Sequence, residues 1–131
     1  MGNVVVICGF DVAGEMVAKF LSMPSVLEKL VATGSNSESA KYVAFDLDPD
    51  RVVRGSQGGY RVMYGDGSQP LVLRTAGVTS PRAIVLTYDD EELCAKSALR
   101  IREAFPNVPI ISRLSIHAVY LKYFLYSSYC P

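Results

Sequence analysis

The 131-residue sequence has no tryptophan, one histidine and three cysteines, and its thirteen basic residues are matched by thirteen acidic ones. The zero formal net charge removes the basic footprint of a nucleic-acid binder, so no nucleic-acid partner is expected. Cys8, Cys94 and Cys130 are too few and too scattered for a disulfide framework or a zinc site. Cys8 ends an apolar run and Cys94 sits in a helical pattern, so both read as buried, inert thiols in a reducing compartment. No stretch approaches the ~20 apolar residues that a membrane-crossing helix needs. Met1-Gly2-Asn3 lacks the basic segment of a signal peptide. Val6 stands where a myristoylation signal wants Ser or Thr.

Catalytic signatures are also missing. His117 is the lone histidine and is read as structural or exposed. There is no Gly-x-Ser-x-Gly elbow and no Gly-Lys-Ser/Thr phosphate loop. No Tyr-x-x-x-Lys pair follows the fourth strand-like run to support hydride transfer. Ser112 and Ser115 have no histidine base in a recognisable pattern. One domain offers no second lobe to close over a substrate. The chain reads as a non-enzyme, built to hold a ligand.

What is present is a regular alternation. At this length one domain with a real core is expected. Apolar runs recur at Val4–Cys8, Tyr42–Asp46, Val62–Tyr64, Ala83–Thr87 and Pro109–Ser112, each followed by helix-like sequence. Continuous apolar strands alternating with helices predict an α/β fold: a doubly wound parallel sheet of five strands, covered on both faces. In the first helix, Ala13, Met16, Val17, Phe20 and Leu21 form the stripe expected against the sheet. Pro24 interrupts it. Val26, Leu27, Leu30 and Val31 continue an apolar face, Thr33-Gly34 reads as a stop, and Ser35–Ser39 as a solvated loop. The run Asp89-Asp90-Glu91-Glu92 opens the helix after the fourth strand, with Asp89 and Glu92 spaced as a capping box. Metal binding is the alternative there, and no metal site is expected. Residues 114–131 form an aromatic-rich tail: a final helix, an open interface or sequence foreign to the domain.

In a parallel sheet, ligands collect outside the carboxyl ends of the strands. The first strand runs into Gly9-Phe10-Asp11-Val12-Ala13-Gly14, the frame Gly-x-Gly-x-x-Gly with Asp11 in the middle position. Gly9 suits the tight turn and Gly14 the close helix–strand packing, while the helix N-terminus offers N–H groups to a phosphate. Asp46, with Asp48 two residues on, ends the second strand, where a carboxylate can accept from ribose hydroxyls. Gly65 and Asp66 follow the third, Asp66 placed to take an adenine amine. Thr87 ends the fourth, and Arg113 follows the fifth, suited to phosphate. Asp46 lies 37 positions after Gly9, against about 20 in a standard unit, which fits an insertion between Pro24 and the serine-rich loop.

Asp11 conflicts with this frame. The middle glycine lets backbone approach a pyrophosphate. A carboxylate ~4 Å from a phosphate, at an effective dielectric of ~20, costs roughly 4 kcal/mol, about a thousandfold in affinity. The other reading is that Asp11 caps the first helix.

Taken together, Val-Ile-Cys-Gly-Phe, Tyr-Val-Ala-Phe-Asp-Leu-Asp-Pro-Asp-Arg-Val, Val-Met-Tyr-Gly-Asp-Gly-Ser, Leu-Arg-Thr-Ala-Gly-Val, Arg-Ala-Ile-Val-Leu-Thr and Phe-Pro-Asn-Val-Pro-Ile-Ile-Ser-Arg resemble the regulator-of-K⁺-conductance N-terminal domain, also called KTN or TrkA-N. The wording is most similar to Kef-type bacterial and plant plastid K⁺-efflux antiporters. The resemblance covers Asn3 to Arg113 with the insertion as a gap. It implies a Rossmann-like nucleotide-binding domain over residues 1–113, binding NAD(H) or an adenine nucleotide (ATP, ADP or AMP). It further implies a homodimer, and a membrane K⁺ transporter or antiporter as partner, on the same or a separate chain. The domain would then lie, soluble, on the cytoplasmic or plastid-stromal face. By position Gly9, Gly14, Asp46, Asp66, Thr87 and Arg113 would match the family's nucleotide contacts, with Phe10, Asp11, Val12, Asp48 and Gly65 beside them. Asp11 departs from the family's glycine. A ligand-free interaction module and a small NAD(P)-dependent oxidoreductase are the competing functions.

Overall fold

Strand β1 (Val5–Cys8) lies at the middle of the sheet and is buried along its whole length. β2 (Tyr42–Asp46) and β4 (Ala83–Leu86) flank it, and β3 (Val62–Tyr64) and β5 (Ile110–Ser112) form the edges, giving the order β3-β2-β1-β4-β5. Every pairing is parallel, with Val6 opposite both Val43 and Ile84. These positions come from a computed structural model, which describes residues 3–23 and 41–112. The five expected strands are all present, trimmed by a residue at some ends. The three inner strands are nearly continuous apolar runs, while β3 and β5 expose part of their length. That difference follows from helices covering both faces of the centre but not the rims.

Side-chain alternation divides the core in two. Val4, Val6 and Cys8 join Val43, Phe45, Ile84 and Leu86 on one face. There they meet Leu73 of α3 (Pro70–Thr75) and Cys94, Ala98 and Ile101 of α4 (Glu91–Ala104). Ile7 and Ala44 point the other way, packing with Phe10, Val62 and Ala18 of α1 (Val12–Ser22); α2 (Pro49–Gln57) adds Val52. The chain leaves β1 toward β2 and β3, then crosses back to β4 and β5. The strand order therefore reverses between β1 and β4, where a crevice opens at the carboxyl ends.

Two local expectations are corrected. The first helix does not bury the stripe expected of it. Gly14 and Ala18 are its buried residues and Val17 and Leu21 are half-buried, whereas Met16 is 64% and Phe20 76% exposed. A Cβ on Gly14 would lie 2.1 Å from the Gly9 carbonyl oxygen, so α1 rides too close to the sheet for large side chains at its line of contact. The helix ends as anticipated: Met23 is extended, as the residue before a proline is biased to be. The second correction is at α4. Its cap is Asp90, which accepts from Leu93 N–H at 2.9 Å, one position later than the Asp89–Glu92 box. The continuation at Val26–Val31, the Ser35–Ser39 loop, and everything from Arg113 onward, His117, Ser115, Cys130 and the 114–131 tail included, lie outside the described residues.

Cys8 and Cys94 are both fully buried. Burial raises the pKa of each thiol above its ordinary value, so both stay protonated near neutral pH and are poor nucleophiles. No helix among the described residues is long and apolar enough to cross a membrane.

Candidate functional site

The turn after β1 is fixed by contacts that its sequence dictates. Gly9 has φ +98°, a conformation that glycine adopts without strain, and a Cβ there would fall 2.3 Å from Thr87 Oγ1. The Thr87 hydroxyl lies 2.9 Å from the Cys8 carbonyl and 3.1 Å from that of Gly9. Its own N–H donates to Cys8 O at 3.0 Å. Thr87 is buried, so β4 pins the start of the turn from below. The first and last glycines of the frame are thus both required by close approach, as the fingerprint demands.

Asp46 organises the neighbouring strand end. Its carboxylate accepts from Phe10 N–H at 2.6 Å and from Asp48 N–H at 2.8 Å, and its backbone carbonyl accepts from Gly65 N–H at 3.0 Å. One residue, 7% exposed, therefore holds the ends of β1, β2 and β3 together. Arg51 reaches it from α2, with Nη1 3.5 Å from Asp46 Oδ2 and Nε 3.7 Å from Asp48 Oδ2. Asp48 is the N-cap of α2, accepting from Asp50 N–H at 2.9 Å.

Asp11 is an N-cap as well. Its Oδ1 accepts from Gly14 N–H at 3.0 Å, and its carbonyl accepts the first α1 bond from Glu15 at 2.9 Å. The capping alternative is the arrangement present. Phe10 turns away from the crevice into the core, 6% exposed, its ring 5.4 Å from that of Tyr60. Val12 points outward and is 76% exposed.

These groups surround a cleft of about 290 Å³ at the carboxyl edge. Gly9, Asp11, Asp46, Gly65 and Thr87 line it, so five of the expected positions meet in one place. Asp48, Asp66, Phe10, Val12 and Gly14 are not in its lining. Asp66 turns into a separate network. Its Oδ1 accepts from Ser68 N–H at 3.0 Å and Ser68 Oγ at 2.6 Å, and Tyr88 OH lies 3.4 Å away. Arg100 Nη1 is 3.8 Å from its Oδ2. This web ties β3 and β4 to α4 behind the cleft. Burial, with the Asp66 carboxylate a lesser cause, raises the Tyr88 phenol above its usual range. Arg113 is outside the described residues.

Sequence reasoning did not single out Leu47, Arg51, Tyr88 or Leu93, all of which line the cleft. Arg51 carried a usable signal. A basic residue in the first turn of a helix opposes the dipole, and it sits one turn after an aspartate cap. Asp89 and Asp90, read as a helix start with metal binding as the alternative, also reach the lining. Among the described residues no group of three or more His, Cys, Asp and Glu could hold a metal ion.

A second hollow of about 360 Å³ lies on the other side of Arg51, between α1 and α2, lined by Phe10, Val12, Arg54 and Tyr60 among others. It lies off the crevice, and Arg51 and Asp11 are shared by both.

Comparison with known proteins bears on the family and the fold. The chain is 39% identical over 109 residues to the K(+) efflux antiporter 3, chloroplastic, of Arabidopsis thaliana, covering 83% of this chain and 13% of that protein. It is 28% identical over 109 residues to the glutathione-regulated potassium-efflux system protein KefC of Klebsiella pneumoniae, covering 83% of this chain and 15% of that one. It therefore spans only a small part of the length of these relatives. Among solved structures, the TrkA-N domain of the inner membrane protein ybaL from Escherichia coli superposes with a TM-score of 0.68. That match covers 93% of this chain and 83% of the other at 14% identity, and it bears on the fold alone. The model of the TrkA-N domain matches residues 5–118, so the chain belongs to the TrkA-N domain family, with the Rossmann-like sheet that its residues predict.

Proposed function

We propose that this chain is a nucleotide-sensing regulatory domain that controls K⁺ movement through a membrane antiporter or channel, carried on the same chain or a separate one. The observation that supports it most is the convergence of Gly9, Asp46, Gly65 and Thr87 on one cleft at the strand-order reversal, in a chain whose relatives are potassium-efflux proteins. The ligand is NAD(H) or an adenine nucleotide, ATP, ADP or AMP. Its base would lie against Leu47 and Leu93, which expose 59% and 43% of their surface at the rim. Its ribose hydroxyls would reach Asp46 as the weak contact to Arg51 gives way. No proton-transfer group is assigned, and the role is regulatory, not catalytic. The domain would act as a homodimer on the cytoplasmic or plastid-stromal side.

Regulation of this kind requires the ligand to favour one state of the transporter, because equal affinity for two states shifts nothing. The cleft suits that task. It joins loops from both halves of the sheet, so occupancy couples β1–β2 to β4. The test is calorimetric titration of the purified chain with ATP, ADP, AMP, NAD⁺ and NADH. Measurable heat and a raised melting temperature with at least one are expected. Silence from all five at millimolar concentration would favour the second reading, a ligand-free interaction module. The observation behind that reading is the exposed apolar row Val12, Met16, Phe20 and Met23 along α1.

A further inference from the structure

Two backbone N–H groups of the β1–α1 turn already donate to carboxylates of the chain itself. Gly14 N–H gives its hydrogen bond to Asp11 Oδ1 at 3.0 Å, and Phe10 N–H gives its own to Asp46 Oδ2 at 2.6 Å. A helix N-terminus attracts anions because such donors are unsatisfied. Here Asp11 satisfies one from within, and its side chain stands in the cleft lining. The same lining includes Asp46, Asp89 and Asp90, and among the described residues its arginine is Arg51, which lies against Asp46 and Asp48. A cavity of about 290 Å³ falls at the small end for ligand sites, roughly 300–1,000 Å³. Phe45, Leu47, Tyr88 and Leu93 add apolar and aromatic walls.

From these observations we infer that Asp11 is a specificity-determining residue, which makes the cleft a nucleoside site and turns phosphates away from α1. The ligand class is a purine nucleoside such as adenosine, held through base and ribose, with added phosphates weakening binding. The inference rests on the ligand cleft of the nucleotide-sensing reading above and changes its preferred ligand from the nucleotide to the unphosphorylated nucleoside. It also explains how one side chain can both complete a helix and set a preference. The carboxylate that caps α1 occupies one of the helix's N-terminal donors and sets a negative side chain at the edge of the cleft.

The experiment is calorimetric titration of the full chain with adenosine, AMP, ATP and NAD⁺ in magnesium-free buffer, for the parent protein and for Asp11→Asn. Asparagine keeps a capping acceptor of similar quality and removes the charge, so unchanged thermal melting of the variant establishes that it is folded. Adenosine is expected to bind the parent at least about tenfold more tightly than ATP, the equivalent of ~1.4 kcal/mol. Asp11→Asn is expected to tighten ATP and NAD⁺ by about tenfold or more, while leaving adenosine within about twofold. ATP or NAD⁺ binding the parent as tightly as adenosine would overturn the inference and leave nucleotide sensing standing. So would a variant with no gain for phosphorylated ligands. If none of the four binds either protein, both readings fall together.

Discussion

At the scale of single residues, the chain is governed by where polar atoms find partners. Asp11, Asp48 and Asp90 each follow a strand and each cap a helix, so the carboxyl edge is crowded with aspartates for architectural reasons before any ligand is considered. Ser97 is the opposite case. Its side chain is fully buried in α4 and, among the described residues, its hydroxyl is the buried side-chain polar atom without a hydrogen-bond partner. A hydroxyl in that position loses its water and gains nothing, and serine is also a poorer helix former than alanine. Ser97→Ala should therefore raise unfolding stability by about 0.5–1 kcal/mol, read as a higher urea midpoint with an unchanged slope. A lower midpoint would mean that the hydroxyl has a partner after all. Residue identity revealed the aspartates but not their partners. The Asp11 carboxylate was legible as either repulsive or capping, and the 3.0 Å bond to Gly14 decides the geometry. Asp66 was legible as a strand-end residue, yet nothing local foretold that Tyr88 and Arg100 would join its neighbour Ser68 in claiming it, because both are distant in sequence.

At the scale of elements, strands were easier to read than the faces of helices. An inner parallel strand is apolar on both sides, so its signal is a simple run, and all five runs became strands. A helix reveals its buried face only if the apolar residues lie on one side. Helix α1 carries apolar residues nearly all round, and the small ones decide the contact, because Gly14 lies against the Gly9 carbonyl. Counting large apolar residues therefore selected Met16 and Phe20, which face solvent. The consequence can be measured. Ala18 is fully buried against Ile7, Phe10 and Ala44, so Ala18→Leu should overpack the interface and cost about 1–3 kcal/mol. Phe20→Ser, a far larger chemical change, should alter stability by no more than about 0.5 kcal/mol, as surface substitutions do. Chemical denaturation of the two variants side by side provides the check. The reverse ranking would place the large apolar stripe on the sheet.

At the scale of the whole molecule, the reversal of strand order fixes the location of the cleft, and β1 lies under it with both neighbours hydrogen-bonded along its length. The alternation of strand and helix made this topology legible, and hence the edge at which to look for a site. The cleft's remaining walls were not, since Arg51, Tyr88 and Leu93 come from helix and loop positions whose direction only packing sets. The burial that makes the centre rigid also makes it sensitive to alkali. Cys8 is fully buried at the end of β1, and burial, followed by the nearby Asp66 carboxylate, raises its thiol pKa far above that of the unfolded chain. Below the unfolded value, about 8.5, both states keep the proton and the stabilisation is complete. Above it the unfolded thiol ionises while the folded one does not, so the unfolded state binds fewer protons and stability falls with rising pH. One pH unit above that value the loss from this group is about 1.4 kcal/mol. Urea midpoints of the parent and of Cys8→Ala should therefore converge between about pH 7.5 and 9.5. The variant begins lower because it leaves a small cavity, but it declines less steeply, having no thiol at that position to ionise. Parallel pH profiles would show that Cys8 reaches water in the folded protein, and would put the tight packing of the strand ends around the cleft in question.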